Sequence, residues 1–197
     1  MTAMIPYAAV GTNRLDEAYV KCLSMVPSGE WLCSLDHDVM FMCKDWHRRF
    51  EALLDRAAEE GYGSLTCTLS DTPNPHQQVQ AQGLKDKCDS TDIVTQWGIG
   101  QKLSKLGDAI EDIPNGIPAV VVISKDAAEK SGLLDLPYPN PFYGSGGQIR
   151  ARLREGGYKH GIVRSIYAYH RYNATSDRGD RGYNAYYAEL EKEMLQS

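Results

Sequence analysis

The sequence contains no run of 18 apolar residues, and its beginning shows no charged segment followed by an apolar core. A transmembrane helix needs the first pattern, and a secretion signal needs the second. No cluster of Lys and Arg exceeds a few residues, and 21 basic against 26 acidic residues give a net charge of -5. Nucleic-acid backbones attract basic surfaces, so we expect no nucleic-acid partner. From the two missing segments we expect a cytoplasmic protein with no transmembrane segment.

The five cysteines are odd in number, and none belongs to a Cys-x-x-Cys motif. This spacing indicates neither a disulfide framework nor a zinc site, so we expect reduced and mostly buried thiols, as in cytoplasmic proteins. A chain of 197 residues with 42% hydrophobic residues is long enough for one well-buried domain and short for two. We predict a single domain over 1–197.

Apolar side chains recur with helical spacing in some segments and form short runs in others. Helices are predicted over 13–26, 45–60, 148–155 and 183–195, the second with Asp45 as its N-cap, and strands over 4–7, 31–38, 65–69, 119–123 and 161–170. No clear pattern is found between Asp71 and Pro118. The alternation of strands and helices predicts an α/β domain.

The run from Glu30 to Asp38 is an apolar strand that ends in two carboxylates separated by one residue. In an extended segment Asp36 and Asp38 project to the same side, and His37 points away. Such a pair suits Mg²⁺ or Mn²⁺, which keep open positions for phosphate oxygens, and open α/β sheets bind ligands at the carboxyl ends of strands. The alternative is a solvated turn, where Asp is common.

Four segments, taken in order, resemble a compact GT-A glycosyltransferase of the family-2-like kind. They are the strand Met4-Ile5-Pro6-Tyr7, the helix from Asn13 to Val26, the strand with the Asp-x-Asp, and Ile166-Tyr167-Ala168-Tyr169-His170-Arg171-Tyr172, which is similar to the family's Tyr-x-Tyr-His-x-Tyr segment. The resemblance implies a single-domain, Rossmann-like GT-A fold with a mixed central sheet flanked by helices. The fold would be reduced at the N-terminus, since the first strand leads almost directly into the helix.

The resemblance also implies a metal site of Asp36, Asp38 and His170, which would hold Mn²⁺ or Mg²⁺, with Asp36 contacting the metal or the donor's ribose. The donor would be a nucleotide sugar of the UDP or GDP type, and its nucleotide is expected against Pro6, Tyr7, Asn13 and Arg14. Arg14 at a helix N-terminus is unfavourable for the helix dipole, which favours an anionic partner there. A solvated surface arginine is the alternative.

The general base is the point at which the sequence departs from the family. Inverting members carry an acidic residue where this chain reads Phe142-Tyr143-Gly144-Ser145-Gly146-Gly147-Gln148. Asp135 is the nearest upstream carboxylate and becomes the candidate base. A base from Glu111 or Asp112, a retaining mechanism, or donor binding without transfer remain open.

The sequence therefore predicts a metal-dependent glycosyltransferase that moves a sugar from a nucleotide-diphosphate donor to a hydroxyl of a glycan, protein or small-molecule acceptor. One alternative is a catalytically impaired nucleotide-sugar or glycan binding module. The other is a haloacid-dehalogenase-type phosphatase, with Asp36 as nucleophile and Asp38 as acid/base. That class has Thr or Val where this chain has Met40, and a later apolar strand ending in paired acids, which is missing here.

Overall fold

The computed structural model describes residues 1–4, 15–36, 38–70, 72, 74–80, 83–114, 119–135 and 144–170. Its strands are β1 (Thr2–Met4), β2 (Trp31–Leu35), β3 (Val39–Phe41), β4 (Tyr62–Leu69), β5 (Ile110–Ile113), β6 (Val120–Ser124) and β7 (Lys159–His170). Its helices are α1 (Leu15–Ser24), α2 (Trp46–Glu51), α3 (Leu54–Glu59), α4 (Ile93–Leu103), α5 (Lys125–Lys130) and α6 (Gly144–Glu155).

The strands form one mixed sheet of seven strands in the order β1-β2-β6-β4-β7-β3, with β5 also paired to β7. The β1–β2 and β4–β7 pairs are parallel, and the other pairs are antiparallel. This open α/β sheet with flanking helices agrees with the predicted fold class at the level of a Rossmann-like architecture. None of the helices in the described ranges is long and apolar enough to cross a membrane.

Both faces of the sheet are covered, and side-chain alternation along the central strands assigns residues to each face. On β6, Val120 and Val122 pack with the α2 and α3 side, whereas Val121 and Ile123 pack with α1, α5 and α6. A third apolar cluster lies between α4 and the ends of β3 and β7. The continuous apolar run of β6 is therefore explained by burial on both faces.

Strand β7 contains a bulge that divides it into two paired halves. Cys67 of β4 pairs with Val163, but the next residue, Thr68, pairs with Tyr167. Two carbonyls of the extra residues are satisfied by side chains, since the Thr68 hydroxyl donates to Arg164 O at 3.1 Å and Arg49 Nη1 donates to Ser165 O at 3.2 Å. A bulge re-aims the strand that follows it, and here it separates the half that pairs with β5 from the half that pairs with β3.

The segment from Asp71 to Pro118, in which the sequence shows no clear pattern, contains α4 and β5. Helix α4 begins after Asp92, whose carboxylate accepts hydrogen bonds from the backbone of Val94 and Thr95. The hydrogen bonds from Thr95 lower the Asp92 pKa, as expected for an N-cap. The buried face of α4 includes Gln96 and Gly100, which hides its helical period from a search for apolar residues.

The predicted helix over 45–60 is wrong in two respects. It is divided into α2 and α3, and Asp45 makes no side-chain cap hydrogen bond. Asp45 instead adopts a left-handed conformation with φ 54°, which Asp tolerates better than most residues. The predicted strands are shifted by a few residues: β4 begins at Tyr62, β7 begins at Lys159, and β2 ends at Leu35, before the carboxylates.

The five cysteines are free thiols, as the sequence predicts, and all but Cys22 are buried. Burial raises the pKa of Cys33 to about 12 and raises that of Cys67 well above its ordinary value. These thiols therefore stay protonated and act as small apolar side chains in the core.

Gly100 is required where α4 crosses the chain that follows β3. A methyl group at this position would lie 1.9 Å from the Met42 carbonyl oxygen. We expect Gly100→Ala to lower the free energy of unfolding by about 1–3 kcal/mol or more, because the helix must move away from the sheet. Gly98 on the exposed side of α4 has no atom within 4 Å of the same position, so Gly98→Ala should raise stability by about 0.5–1 kcal/mol. Urea denaturation of both variants distinguishes the two effects, and equal stability would contradict the close approach.

Candidate metal centre

Asp36 lies at the carboxyl end of β2, next to the start of β6. Its N–H donates to the Ala119 carbonyl at 2.9 Å, which extends the β2–β6 pairing by one step. Its own carbonyl accepts a hydrogen bond of 3.3 Å from the Val39 N–H. The chain therefore turns directly after Asp36, and the turn brings the second carboxylate, Asp38, back toward the sheet.

Asp38 reaches the site because β3 pairs with a different strand from β2. Val39 lies opposite His170 in the antiparallel β3–β7 register, so the residue before Val39 stands beside the last residue of β7. The sequence predicts both carboxylates on one side of the sheet, on the assumption that the extended strand continues through Asp38. That assumption is wrong, since β2 ends at Leu35; a turn and a long-range strand pairing bring the two acids together.

Ser70 fixes the backbone of His170 from the other side. The His170 N–H donates to Ser70 Oγ at 3.0 Å, and Ser70 Oγ donates to the His170 carbonyl at 3.2 Å. The Ser70 N–H also donates to the Ala168 carbonyl. A buried side chain thus continues the pairing of β4 with β7 beyond the last strand residue, and it holds His170 at the end of the sheet.

Asp36, Asp38 and His170 form a compact group of metal-ligating side chains. His170 Nε2 lies 3.4 Å from Asp38 Oδ1 and 3.9 Å from Asp36 Oδ2, and one ligand atom of each residue lies within 4.8 Å of the others. Two ligand atoms each about 2.1 Å from one ion are about 3.0 Å apart at a right angle and about 4.2 Å apart on opposite sides. The two distances to His170 lie in this range, and the two-carboxylate, one-imidazole donor set suits Mn²⁺ or Mg²⁺.

The exposure of the three side chains gives the group a closed and an open side. The side chain of His170 is 6% exposed and that of Asp38 15%, whereas that of Asp36 is 36% exposed. An ion held here would be covered by protein at His170 and accessible to further oxygen ligands near Asp36.

Two buried hydroxyl groups, those of Tyr19 and Ser34, lie on the α1 side of β2, and the sequence does not assign either to the site. Ser34 precedes Asp36 by two residues on β2, and Tyr19 packs against the same face from α1. Burial raises the pKa of the Tyr19 phenol, and the negative charge of Asp36 adds to the increase. Tyr19 therefore keeps its proton. The position of Ser34 could have been recognised from strand alternation, whereas Tyr19 belongs to an apolar helical stripe.

Asp135, the candidate base, is not brought to the three ligating side chains. It is exposed, and a methyl group at Gly132 would lie 3.0 Å from its carboxylate and 3.4 Å from Arg152 Nη1. Arg152 is in the last turn of α6, which leads into the start of β7. His170 is at the other end of that strand of 12 residues, a separation on the order of 30 Å by strand rise.

The expected nucleotide-binding residues Pro6, Tyr7, Asn13 and Arg14 lie outside the described residues, as does the helix predicted over 183–195. The alternative bases Glu111 and Asp112 lie on β5, opposite Ile162 and Gly161 in the first half of β7. Glu111 forms an ion pair with Arg164 at 2.8 Å. Of the predicted site residues that are described, the structure thus brings together Asp36, Asp38 and His170.

No protein-family model matches the chain, and no curated protein matches it. Among solved structures, the chain is similar to A197 from STIV, with 13% sequence identity and a TM-score of 0.41 over 79% of this chain. The match spans 66% of the length of that protein. No functional inference rests on this likeness.

Ser70 offers a test of how the histidine is held. We expect Ser70→Ala to weaken Mn²⁺ binding by about 10- to 100-fold, as loss of a group that orients a ligand commonly does. It should also cost about 1–3 kcal/mol of stability, because the buried His170 N–H loses its partner. Calorimetric Mn²⁺ titration and urea denaturation measure the two effects.

Ser64 is the matched control for that experiment. It is a buried serine of β4, the strand that Ser70 directly follows, and its hydroxyl is 2.7 Å from His160 Nδ1, far from His170 along β4. Ser64→Ala should lose stability and keep the Mn²⁺ affinity. Equal Mn²⁺ affinity in both variants would show that the Ser70 hydrogen bonds do not position His170 for a metal.

Proposed function

We propose that this chain is a metal-dependent glycosyltransferase of the GT-A kind, which moves a sugar from a nucleotide-diphosphate donor to an acceptor hydroxyl. The observation that carries the proposal is the convergence of Asp36, Asp38 and His170 at the end of an α/β sheet. The resemblance in sequence nominates these same three residues. His170 is remote in the sequence from Asp36 and Asp38, so the Asp-x-Asp motif did not guarantee that the three would meet.

In this proposal Asp38 and His170 are metal ligands, and Asp36 is a third ligand that also faces the donor. When bound, the metal neutralises charge on the diphosphate leaving group. The more exposed Asp36 is the residue best placed to meet the donor, because its side chain stands on the open side of the group. His170 and Asp38 are more buried, which holds their ligand atoms in place before the donor arrives.

The transfer forms one bond and breaks another at the anomeric carbon of the sugar. The acceptor hydroxyl oxygen attacks this carbon, the bond to the diphosphate oxygen breaks, and its electron pair leaves with the diphosphate. The hydroxyl proton must pass to a base. We assign that role to no residue, because Asp135 lies beside Arg152, near the opposite end of β7.

The stretch from Phe142 to Gln148, where inverting members of the family carry the base, contains no acidic residue, and this favours a second candidate, a module that binds a nucleotide sugar without transferring it. The phosphatase alternative is less well supported. It needs paired acids at the end of another strand beside Asp36, whereas β6, the described neighbour of β2 on that side, begins there. In addition, His170 occupies the place beside the carboxylates.

A nucleoside diphosphate and a divalent ion should stabilise the protein only together. In the presence of Mn²⁺, UDP or GDP at about 100 times its dissociation constant should add about 2.7 kcal/mol to the free energy of unfolding, by linkage of binding to folding. In excess chelator the same nucleotide should add little. A thermal shift series with both nucleotides, with and without Mn²⁺, measures this.

Variants assign the effect to the site. Asp38→Asn should abolish the Mn²⁺-dependent shift with little change in the melting temperature of the protein alone. Asp89→Asn removes an exposed carboxylate in the turn before α4 and should keep the full shift. Equal stabilisation by nucleotide in Mn²⁺ and in chelator would refute a shared metal and diphosphate site.

Turnover separates the candidate functions. The protein is incubated with UDP and GDP sugars and Mn²⁺, and released nucleoside diphosphate and inorganic phosphate are quantified. A transferase releases nucleoside diphosphate by slow donor hydrolysis even without an acceptor. Phosphate release from simple phosphate esters supports the phosphatase, and binding without release supports the module.

A further inference from the structure

The hydroxyls of Tyr19 and Ser34 are the described buried side-chain groups without a hydrogen-bond partner. Tyr19 is 1% exposed and Ser34 is 0% exposed. The two hydroxyls are close to each other, but they make no hydrogen bond of normal geometry. Asp36 follows the last residue of β2 and continues its pairing with β6 by one step, so strand alternation places Asp36 on the same face as Ser34, which Tyr19 covers from α1.

An unpaired buried hydroxyl is costly and rare in folded proteins, so each such group requires an explanation. Phenylalanine would fill the Tyr19 position without that cost, since the ring packs among apolar residues such as Leu23 and Leu32. The charge that most strongly influences the Tyr19 phenol is that of Asp36. Tyr19 is therefore within the electrostatic influence of a carboxylate of the candidate metal centre, and Ser34 lies two residues before that carboxylate in the chain.

We propose that Tyr19 and Ser34 are positioning residues for Asp36. Their hydroxyls donate hydrogen bonds to the Asp36 carboxylate, directly or across one water molecule, when that carboxylate turns to ligate the metal. This inference rests on the proposed metal site, and it names the two residues that hold the Asp36 carboxylate in that site. Partners of this kind orient a ligand and raise its affinity for the ion.

A purely structural role makes a different prediction, and Tyr167 provides the comparison. Tyr167 is also fully buried, and its hydroxyl donates to Gln96 Oε1 under α4. Loss of that hydroxyl leaves the Gln96 oxygen without this donor. Tyr167 is on the strand that carries His170, so it also tests whether general destabilisation near the site alters metal binding.

The experiment measures Mn²⁺ affinity and apo stability of the full chain for Tyr19→Phe, Ser34→Ala and Tyr167→Phe. Free Mn²⁺ is followed by its EPR signal, and stability by thermal melting without metal. Tyr19→Phe should bind Mn²⁺ about 10- to 100-fold more weakly and melt at the wild-type temperature or above. Its bound Mn²⁺ should show an altered EPR spectrum. Tyr167→Phe should melt lower and bind Mn²⁺ as the wild type does.

The outcomes separate this inference from the proposed function. If the wild type binds no Mn²⁺, the metal site itself is refuted, and the inference falls with it. If the wild type binds Mn²⁺ and Tyr19→Phe and Ser34→Ala bind it equally well, the metal site stands and the positioning role is refuted. Should Tyr19→Phe fail to fold, Ser34→Ala decides the question by the same measurement.

Discussion

The pairing of the last residues of β7 is the constraint on which the candidate metal centre depends. On one edge, Val39 pairs with His170 and sets Asp38 beside it. On the other edge, Leu69 pairs with Ala168 and brings Ser70 to the His170 backbone. Because side chains alternate along a strand, a slip of one residue would turn the histidine to the opposite face. The bulge in β7 fixes this register.

Much of the sheet was predictable from the sequence because its central strands carry regular apolar patterns, continuous in β6 and alternating in β4 and β7. Strands β4, β6 and β7 are found where these patterns predict them, with ends shifted by a few residues. Helix α4 was not predicted, since Gln96 and Gly100 occupy its buried face. Strand β5 reads Ile-Glu-Asp-Ile, which follows neither the strand nor the helix period.

For the candidate site, the sequence predicted which residues take part but not how they come together. The Asp-x-Asp at a strand end nominated Asp36 and Asp38, and the resemblance to GT-A glycosyltransferases added His170, because carboxylate and imidazole ligands in such motifs are chemically distinctive. Their geometry was not predictable, since it depends on pairing between residues more than 100 positions apart in the chain. Tyr19 shows the remaining limit. Its ring follows the apolar period of α1, which predicts a core residue. The role of its hydroxyl depends on Ser34 and Asp36, which become its neighbours only in the folded chain.

The buried cysteines give the core a chemical property of their own. Thiolates, rather than thiols, attack alkylating reagents and are oxidised. Burial holds Cys33 and Cys67 in the protonated form inside the sheet, and Cys43 and Cys88 are also shielded from solvent. While the chain is folded, the half-exposed Cys22 is therefore the cysteine most open to modification. A label found on any of the other four records an event in which the packed layers separated, so these thiols act as internal reporters of opening.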